Sequence, residues 1–244
     1  MGFIVPALIL AVWQLFAGLE LINVVWFPAP LTILMTLYEM GVTGELWEHI
    51  TVTALRVYTG FLIGALIGTI MGSITGYSKT SHRLFDPLLQ ALRNIPGLAW
   101  SPLYLMWFGI FEESKIALIA TAAFFPVYLT LSAGITQVPR RYIEIGMIFE
   151  LSPVGLITRI IFPAATPAWI TGLRNGMGSG WTVAVAAELM GASTGLGFLM
   201  YDAQQVSRAD IIMASIILFA IMGKISDSVL VFIGNKLLHY QKIE

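Results

Sequence analysis

Arg93, Arg174 and Glu188 are among the ionisable side chains that stand inside long apolar stretches of the sequence. A charge at membrane depth is costly, so such a residue faces a helix bundle interior or an aqueous path. Two arginines in this setting suit the passage of an anion, and Asn94 adds a polar group beside Arg93. We therefore treat Arg93, Asn94, Arg174 and Glu188 as candidates for lining a translocation pathway.

Each of these charges also has a purely structural explanation. An intramembrane arginine can pair with a carboxylate or cap backbone carbonyls. Lys224 and Asp227 show that the chain does place opposite charges about one helical turn apart. Glu188 could act as a gate or proton site, but it could equally reach the membrane interface or bond a neighbouring helix. The sequence leaves these alternatives open.

Signatures of enzymatic chemistry are missing from the sequence. There is no cysteine and there are only three scattered histidines, so no metal cluster is indicated. No Ser/His/Asp spacing, zinc-binding His-Glu-x-x-His helix, Walker lysine loop or dinucleotide glycine fingerprint occurs. With 13 Lys+Arg against 14 Asp+Glu there is no basic field for a nucleic acid either. We expect a chain that is not an enzyme, holds no metal or cofactor and binds no nucleic acid.

The elements that must position these side chains are membrane-spanning helices. Of the 244 residues, 57% are apolar and only 11% are charged, and the mean hydropathy is +0.83. A soluble domain carries about 25% charged residues, so the composition predicts an all-α polytopic membrane protein with one transmembrane domain over 1–244. A span needs about 20 mostly apolar residues, which gives about six spans. They cover 3–19, 54–77, 84–110, 115–137, 164–190 and 210–238.

The domain divides into an N-terminal part and a core. Residues 1–50 hold the first span and an amphipathic segment from Phe27 to Glu48 that suits a membrane surface. The first span begins almost at Met1 without the basic start or cleavage site of a signal peptide, so we expect it to be retained. Residues 51–238 form the core.

Basic residues concentrate in alternate loops of the predicted topology. The segments after the second, fourth and sixth spans hold most of the lysines and arginines, while the other loops are acidic or sparsely charged. Basic residues in short loops are retained on the cytoplasmic side. The pattern therefore predicts that both termini are cytoplasmic.

Glycine recurs every four residues in two of the spans, from Gly60 to Gly76 and from Gly172 to Gly180. Small residues at this spacing let helix backbones approach closely in lipid, where such packing supplies much of the association energy. The stripes predict tight packing inside a bundle or, alternatively, a face along a moving seam.

Prolines predict interruptions in the third and fourth spans. Pro87, Pro96 and Pro102 fall in the third span and Pro126 in the fourth, and each removes an intrahelical hydrogen bond. Broken helices at membrane depth are tolerated where protein or a water-filled cavity satisfies the freed groups. Channels and transporters use this arrangement to present backbone to a solute.

The segment between the fourth and fifth spans has a helical periodicity of its own. Ile143, Met147, Ile148 and Leu151 recur at helical spacing, which predicts a short amphipathic helix on the cytoplasmic surface. Such a helix could lie in the lipid headgroups. It could also dock a soluble subunit.

This segment resembles the cytoplasmic EAA loop of permease subunits in binding-protein-dependent ABC importers. That loop has the pattern E-A-A, three residues, G, nine residues, I-x-L-P, and the spacing here matches throughout. Glu144, Ile160 and Pro163 agree in identity, and Phe162 replaces the leucine.

Three positions of the loop depart from the family pattern. Ile145 and Gly146 replace the two alanines, and Glu150 replaces the loop glycine. These departures bear on the local turn of the loop. A carboxylate at 150 could alter how the loop seats on an ATPase.

Other stretches extend the resemblance over roughly 27–238. They are similar to the branch that imports aliphatic sulfonates, taurine, nitrate or bicarbonate, and most of all to the sulfonate permeases. The stretches are FPAP at 27–30, GELWEH at 44–49, LRNIP at 92–96, WFGI at 107–110, GLR at 172–174 and AAEL at 186–189.

The resemblance implies a type I importer permease fold with a cytoplasmic coupling loop at 140–163, in a bacterial plasma (inner) membrane. It further implies a homodimer of permeases, two cytoplasmic subunits that bind ATP and Mg and hydrolyse the ATP, and an extracytoplasmic solute-binding protein. An aliphatic sulfonate or taurine is the expected solute, with nitrate or bicarbonate as the alternative. The residues carried over to ATPase coupling are Glu144, Gly146, Glu150, Leu151, Ser152 and Pro163.

Two other classes of protein compete with this interpretation. An ion-coupled secondary transporter would use Glu188 with an intramembrane arginine and would need inverted internal repeats, of which the two glycine stripes are the only echo. A non-transporting membrane scaffold would explain the hydropathy. It would not require broken helices or the EAA spacing.

Overall fold

The computed structural model describes residues 4–238, and within that range every regular element is a helix. The helices are α1 (Ile4–Gly18), α2 (Pro30–Thr43), α3 (Glu45–Tyr77), α4 (Lys79–Arg93), α5 (Ser101–Phe108), α6 (Glu112–Thr136), α7 (Arg140–Ile148), α8 (Pro153–Leu156), α9 (Phe162–Leu189), α10 (Leu196–Gln205) and α11 (Ala209–Leu237). A 3₁₀ turn (Gly97–Trp100) precedes α5, and a π-helical turn (Ile157–Ile161) joins α8 to α9.

Within residues 4–238, four helical stretches are long and apolar enough to cross a membrane: Glu45–Tyr77, Glu112–Thr136, Val154–Leu189 and Ala209–Leu237. They correspond to the second, fourth, fifth and sixth predicted spans. The first predicted span is the shorter apolar helix α1, and the third is divided between α4 and α5. The two chain termini, for which a cytoplasmic location is predicted, lie outside the described residues.

The amphipathic segment predicted to run to Glu48 ends earlier. Helix α2 stops at Thr43 because Gly44 takes a left-handed conformation with φ of 88°, which terminates a helix. Glu45 and Glu48 then form the first turn of α3. Carboxylates are favourable there because the helix N-terminus carries partial positive charge.

Only some of the prolines interrupt their helices. The third predicted span does break at residues 94–96, and Pro102 lies in the first turn of α5, where its missing N–H costs nothing. The interruptions predicted at Pro87 and Pro126 are wrong, since α4 and α6 continue through them. A single missing hydrogen bond is tolerated in a long helix whose neighbours pack against it.

The chain forms two compact units, made of residues 4–55 with 185–222 and of residues 56–184 with 223–238. The first unit has a buried apolar cluster drawn from α2, α3, α10 and α11. Its members are Met40, Leu46, Leu196, Leu199 and Leu218.

In the second unit the glycine stripe of α3 packs directly on α6. A Cβ added at Gly60 would lie 2.7 Å from Ile119 Cγ2, and one added at Gly72 would lie 2.9 Å from the Tyr128 carbonyl oxygen. A Cβ at Gly64 would overlap the backbone of Ala120. Any larger residue on this stripe would push the two helices apart.

The second stripe packs against the same helix. A Cβ at Gly172 would lie 3.2 Å from Val127 Cα, and one at Gly176 would lie 2.9 Å from the Ala123 carbonyl oxygen. Both stripes are therefore packing faces, as the first of the two alternatives predicts. Helix α6 is the common partner of α3 and α9 in this unit.

Candidate functional site

Helix α7 is seated on the ends of the longer helices by Ile143 and Gly146. Ile143 packs against a buried cluster from α6, α8, the π turn and α9, and Gly146 is itself buried. A Cβ at residue 146 would lie 2.5 Å from Leu156 Cδ1 and 2.6 Å from Ile160 Cδ1. The glycine that departs from the family pattern thus leaves room for these two side chains against the helix. The cluster consists of Leu131, Ile135, Val138, Leu156, Ile161 and Ala165.

The end of α7 and the residue that follows it are exposed and apolar. Met147, Ile148 and Phe149 are 63%, 78% and 75% exposed, and Glu144 is exposed as well. The apolar face predicted from Ile143, Met147, Ile148 and Leu151 is therefore wrong in its members. Five residues turn a helix by 500°, which places Ile148 roughly 140° around from Ile143. The buried face is formed instead by residues 143 and 146.

The turn after α7 has the hydrogen bonds of a Schellman motif, a common helix ending. The Leu151 N–H donates to the Gly146 carbonyl at 3.1 Å, and the Glu150 N–H donates to the Met147 carbonyl at 2.9 Å. In this motif the residue at position 150 takes a left-handed conformation that favours glycine. Glu150 has φ of 52°, which explains physically why the family pattern has glycine at this position.

The start of α9 is joined to α7 by a capped turn and a widened helical turn. Ser152 Oγ accepts a hydrogen bond from the Gly155 N–H at 3.2 Å, which caps the short helix α8. The π turn follows, and Pro163 stands at the second position of α9. Such π turns are rare and occur frequently at functional sites.

A cavity of about 690 Å³ adjoins this segment. Its walls come from the end of α6, from α7 and from the start of α9, including Gln137, Tyr142, Ile145, Arg159 and Pro163. The coupling segment predicted at 140–163 therefore presents both an exposed apolar face and a recess.

Arg174 does not lie unpaired in the bundle. Its Nε donates to Asp227 Oδ1 at 2.7 Å and its Nη2 donates to Oδ2 at 3.2 Å. Lys224 Nζ lies 3.8 Å from the same carboxylate, as the one-turn spacing predicts. The side chain of Arg174 is 43% exposed, and the structural explanation, pairing with a carboxylate, is confirmed.

Arg93 is not buried deep within a span either. It is the last residue of α4, because the chain leaves the helix before Pro96, and Asn94 caps the helix end. The Asn94 Nδ2 donates to the Gln90 carbonyl oxygen at 2.9 Å. Arg93 is exposed and lines a polar cavity of about 440 Å³ between α4 and α6.

Glu188 is 1% exposed and bonds a neighbouring helix, which was one of its three predicted alternatives. Its Oε1 accepts from the Thr53 hydroxyl at 2.8 Å, and its Oε2 accepts from the Gly197 N–H at 2.7 Å. Thr53 Oγ1 in turn accepts from the Leu196 N–H at 2.8 Å. The carboxylate thus holds α3 and the start of α10 together.

Sequence reasoning missed two partners in this network. His49 Nδ1 accepts from the Gly195 N–H at 2.9 Å, and His49 and Thr53 stand four residues apart on one face of α3. Gly195 has φ of 122°, and a Cβ there would lie 2.5 Å from Glu188 Oε1. Polar residues at helical spacing in an apolar span were the signal that could have identified this site.

A second charge cluster also went unpredicted. Arg56 is 4% exposed and donates to both carboxylate oxygens of Glu112, at 2.5 and 2.7 Å. Lys115, equally buried, donates to the Ile110 carbonyl at 2.9 Å. Bidentate pairs of this kind are the strongest form of side-chain hydrogen bonding. The cluster ties α3 at Arg56 to the start of α6 within the second unit.

Outside the spans, Arg208 makes a comparable pair. It donates to both carboxylate oxygens of Asp210, at 2.8 and 2.6 Å. The hydrogen bonds to Asp210 raise the pKa of the Arg208 guanidinium above its ordinary value. Thr36 donates to the same carboxylate at 2.8 Å, which ties α2 to the start of α11.

Comparison with known proteins identifies the family. Residues 64–239 match the family described as binding-protein-dependent transport system inner membrane component. The chain belongs to this family. As a permease of an ABC importer it works with an ATPase and a substrate-binding protein, and it is a multi-pass inner-membrane protein.

Curated relatives match the permease over almost its whole length. It is 40% identical to the putative aliphatic sulfonates transport permease protein SsuC of Bacillus subtilis, over 98% of this chain and 87% of that protein. It is 35% identical to the taurine transport system permease protein TauC of Escherichia coli (89% and 81% covered). It is 33% identical to the nitrate import permease protein NrtB of Synechocystis (94% and 86% covered).

The fold of the permease has a counterpart among solved structures. The crystal structure of an amino acid ABC transporter with histidines superimposes with a TM-score of 0.66, covering 82% of this chain and 97% of that one at 18% identity. The predicted all-α type I importer permease fold is thereby confirmed.

Proposed function

We propose that two copies of this permease form the pathway for a small organic anion, an aliphatic sulfonate or taurine. Two ATP-binding subunits on the cytoplasmic side drive import, and residues 140–163 transmit their movement to the bundle. An extracytoplasmic binding protein delivers the solute, and both termini lie in the cytoplasm. Alternating access of this kind needs a two-state bundle that the ATPase subunits bias.

The single observation that carries the proposal is the construction of α7. Ile143 and Gly146 fix the helix on the membrane-spanning helices, while Met147, Ile148 and the following Phe149 are exposed, as is Glu144. An exposed apolar surface of this kind marks a protein interface. A helix held rigidly on one side and covered by a partner on the other transmits displacement. We assign ATPase coupling to Glu144, Gly146, Glu150, Leu151, Ser152 and Pro163.

Catalysis is assigned to the partner. We propose that ATP and Mg bind only to the ATP-binding subunits and that this chain contributes no catalytic residue, cofactor or metal ligand. Its contribution is mechanical. The coupling loop moves helices α3, α6 and α9, which pack together through the glycine stripes.

The anionic solute is supported by the relatives and by Arg93. The similar proteins carry names for aliphatic sulfonates and taurine, and Arg93 lines a polar cavity. We propose Arg93 and Asn94 as pathway residues. Arg174 and Glu188 are proposed to border the pathway through the ion pair and hydrogen bonds that each already makes. The relation to a nitrate permease supports nitrate, and with it bicarbonate, as the second candidate class.

The test is ATP hydrolysis by the reconstituted importer, with its ATP-binding subunits and binding protein, in the presence of ethanesulfonate, taurine, nitrate or bicarbonate. We expect one sulfonate to stimulate hydrolysis. Glu144→Ala should reduce that stimulation by at least about tenfold, because it truncates a central interface contact. Glu113→Ala is the matched control, since Glu113 is an exposed glutamate in the first turn of α6.

Two outcomes would contradict the proposal. Stimulation by nitrate or bicarbonate alone would assign the second solute class. If no ATP-binding subunit associates and transport never depends on Glu144, coupling through 140–163 is wrong, and ion-coupled transport using Glu188 becomes the better explanation.

A further inference from the structure

Polar residues line one face of α4 along its whole length. His82, Asp86, Gln90 and Arg93 follow one another at intervals of four, four and three residues, which places them on one side of a helix. All four line the cavity of about 440 Å³. The facing wall comes from the last turns of α6, where Leu129, Ser132, Ala133, Thr136 and Gln137 lie.

The negative charge of the cavity is already engaged by neighbouring groups. The Tyr128 hydroxyl donates to Asp86 Oδ1 at 2.9 Å, and His82 Nε2 lies 3.9 Å from Asp86 Oδ2. Asp86 and Arg93 are seven residues apart, which separates them by roughly 10 Å along the helix. The positive charge therefore dominates the Arg93 end.

Three donor groups at that end have no protein partner. Within residues 4–238, Arg93 forms no ion pair, and the side-chain amides of Gln90 and Gln137 make no hydrogen bond. Arg93 and Gln137 are exposed and Gln90 is half-buried, so all three groups can reach water or a solute in the cavity. A guanidinium with two amide N–H groups matches an oxyanion, whose several oxygens can each accept a hydrogen bond.

The other side of α4 is apolar. Leu84 and Leu88 are 68% and 58% exposed, as expected of a face turned to lipid, while Leu89 and Leu92 line a separate apolar cavity. A helix that has one lipid-facing side and one side with polar groups free to bind a solute or water borders an aqueous space.

We propose that this cavity is an anion site on the solute pathway, in which Arg93, Gln90 and Gln137 bind the sulfonate headgroup. The proposal rests on the proposed function and deepens it by naming the residues that hold the solute. Of these three residues, only Arg93 is recognisable from sequence as a pathway candidate. The two glutamines carry no charge that would mark them.

Gln137 links this site to the coupling segment. It lines both the anion cavity and the cavity beside α7, and only Val138 and Pro139 separate it from that helix. A displacement of α7 therefore moves one wall of the anion site. A solute held by Gln137 would be released or accepted as the ATPase subunits move.

The absence of cysteine from the chain permits a direct test in the assembled importer. Gln90→Cys is labelled with two thiol reagents of similar size, anionic methanethiosulfonate ethylsulfonate and the cationic trimethylammonium analogue. We expect the anionic reagent to react roughly fivefold faster, relative to the rates of both reagents with a free thiol, because Arg93 lies one turn away. Excess ethanesulfonate should slow the reaction, while sodium chloride at equal ionic strength should not.

Matched variants isolate the contribution of Arg93. The preference for the anionic reagent should disappear when Arg93→Ala is added and survive when Arg93→Lys is added. Leu88→Cys, on the lipid-facing side of the same helix, should show no preference. A Gln90→Cys that is unreactive, that has no charge preference, or that keeps its preference without Arg93 would overturn the proposal.

A transport measurement separates this inference from the proposed function. In proteoliposomes, Arg93→Ala should lower ATP-dependent ethanesulfonate uptake by at least about tenfold, through loss of the charged contact. Arg83→Ala should leave uptake unchanged, because Arg83 stands on α4 outside the cavity lining. If wild-type protein imports ethanesulfonate and Arg93→Ala does so equally well, only the anion site is wrong. If wild-type protein imports no sulfonate while the labelling preference persists, only the assigned solute is wrong.

Discussion

Two connections in this permease, one after α9 and one after α7, are built in opposite ways. The connection between α9 and α10 is held from inside by a buried carboxylate, with Gly195 in a conformation that glycine favours. The turn between α7 and α8 places Glu150 in a left-handed conformation and leaves Ile148 and Phe149 exposed beside it. Polar groups of the first connection are hydrogen-bonded within the chain. The second connection has exposed apolar residues that a partner can cover.

The region around Glu188 is fixed by contacts within the chain, whereas the outer surface of α7 is not. Around Glu188 the Thr53 hydroxyl and the N–H groups of residues 195–197 all have acceptors, so hydrogen bonds within the chain set the local geometry. At the end of α7 the backbone groups are hydrogen-bonded. The exposed apolar residues are removed from water only when a second protein covers them. Stability and coupling are thus assigned to different segments.

The largest expected effect on stability comes from Glu188→Ala. It leaves the Thr53 hydroxyl and the Gly197 N–H buried without an acceptor, and each such group costs about 1–3 kcal/mol. We expect a loss of about 2–5 kcal/mol in the free energy of unfolding, measured as a lower thermal unfolding midpoint of the purified permease. Glu188→Gln keeps one acceptor oxygen and should lose less. Equal midpoints for Glu188→Ala and wild type would contradict the anchoring role.

A smaller effect of opposite sign is expected at Glu150→Gly. A left-handed conformation costs a residue with a side chain roughly 1–2 kcal/mol, and glycine avoids most of that cost. The substitution should therefore stabilise the permease by about 1 kcal/mol, seen as a rise of a few degrees in the unfolding midpoint. Glu150→Ala is the control, since it removes the carboxylate but keeps the Cβ. A gain of the same size in Glu150→Ala would assign the effect to charge.

The smallest effect on stability is expected at Ile148→Ser, despite the size of the apolar group removed. Ile148 is 78% exposed, so its truncation removes little buried apolar surface and opens no cavity. We expect an unchanged unfolding midpoint together with weaker association of the ATP-binding subunits, measured by co-purification of the complex. Ile143→Ser, on the buried side of the same helix, should lower the midpoint instead. If the Ile148→Ser variant assembles normally, the exposed surface at the end of α7 does not bind the ATP-binding subunits.

Sequence patterns predicted where the helices lie better than which helices pack against each other. The glycine stripes of α3 and α9 follow from spacing alone, but nothing in the spacing says that both pack on α6. The apolar periodicity of α7 predicted a helix and misassigned its faces, because a nine-residue helix offers too few turns to choose between Ile148 and Gly146. Pro126 predicts an interruption, but α6 is continuous at this residue, where it packs against α9.

The candidate charges show the same limit. Arg174 was recognised as a costly intramembrane cation, but its partner Asp227 lies 53 residues further along the chain and is brought near only by packing. Glu188 was recognised as a group that needs a partner, and Thr53, 135 residues earlier, supplies it. Pairings between distant positions leave no local pattern in a single sequence.

The membrane class, the helical content, the glycine faces and the resemblance of 144–163 to a coupling loop follow from the sequence, because they depend on composition and on spacing within one element. Which distant charges pair, which residues of α7 are exposed, and the shared cavity of Gln90, Gln137 and Arg93 follow only from the packed fold. The physical reason is that hydropathy and helical periodicity act between near neighbours. Ion pairs, hydrogen bonds and cavities arise between residues that only the packed fold brings together.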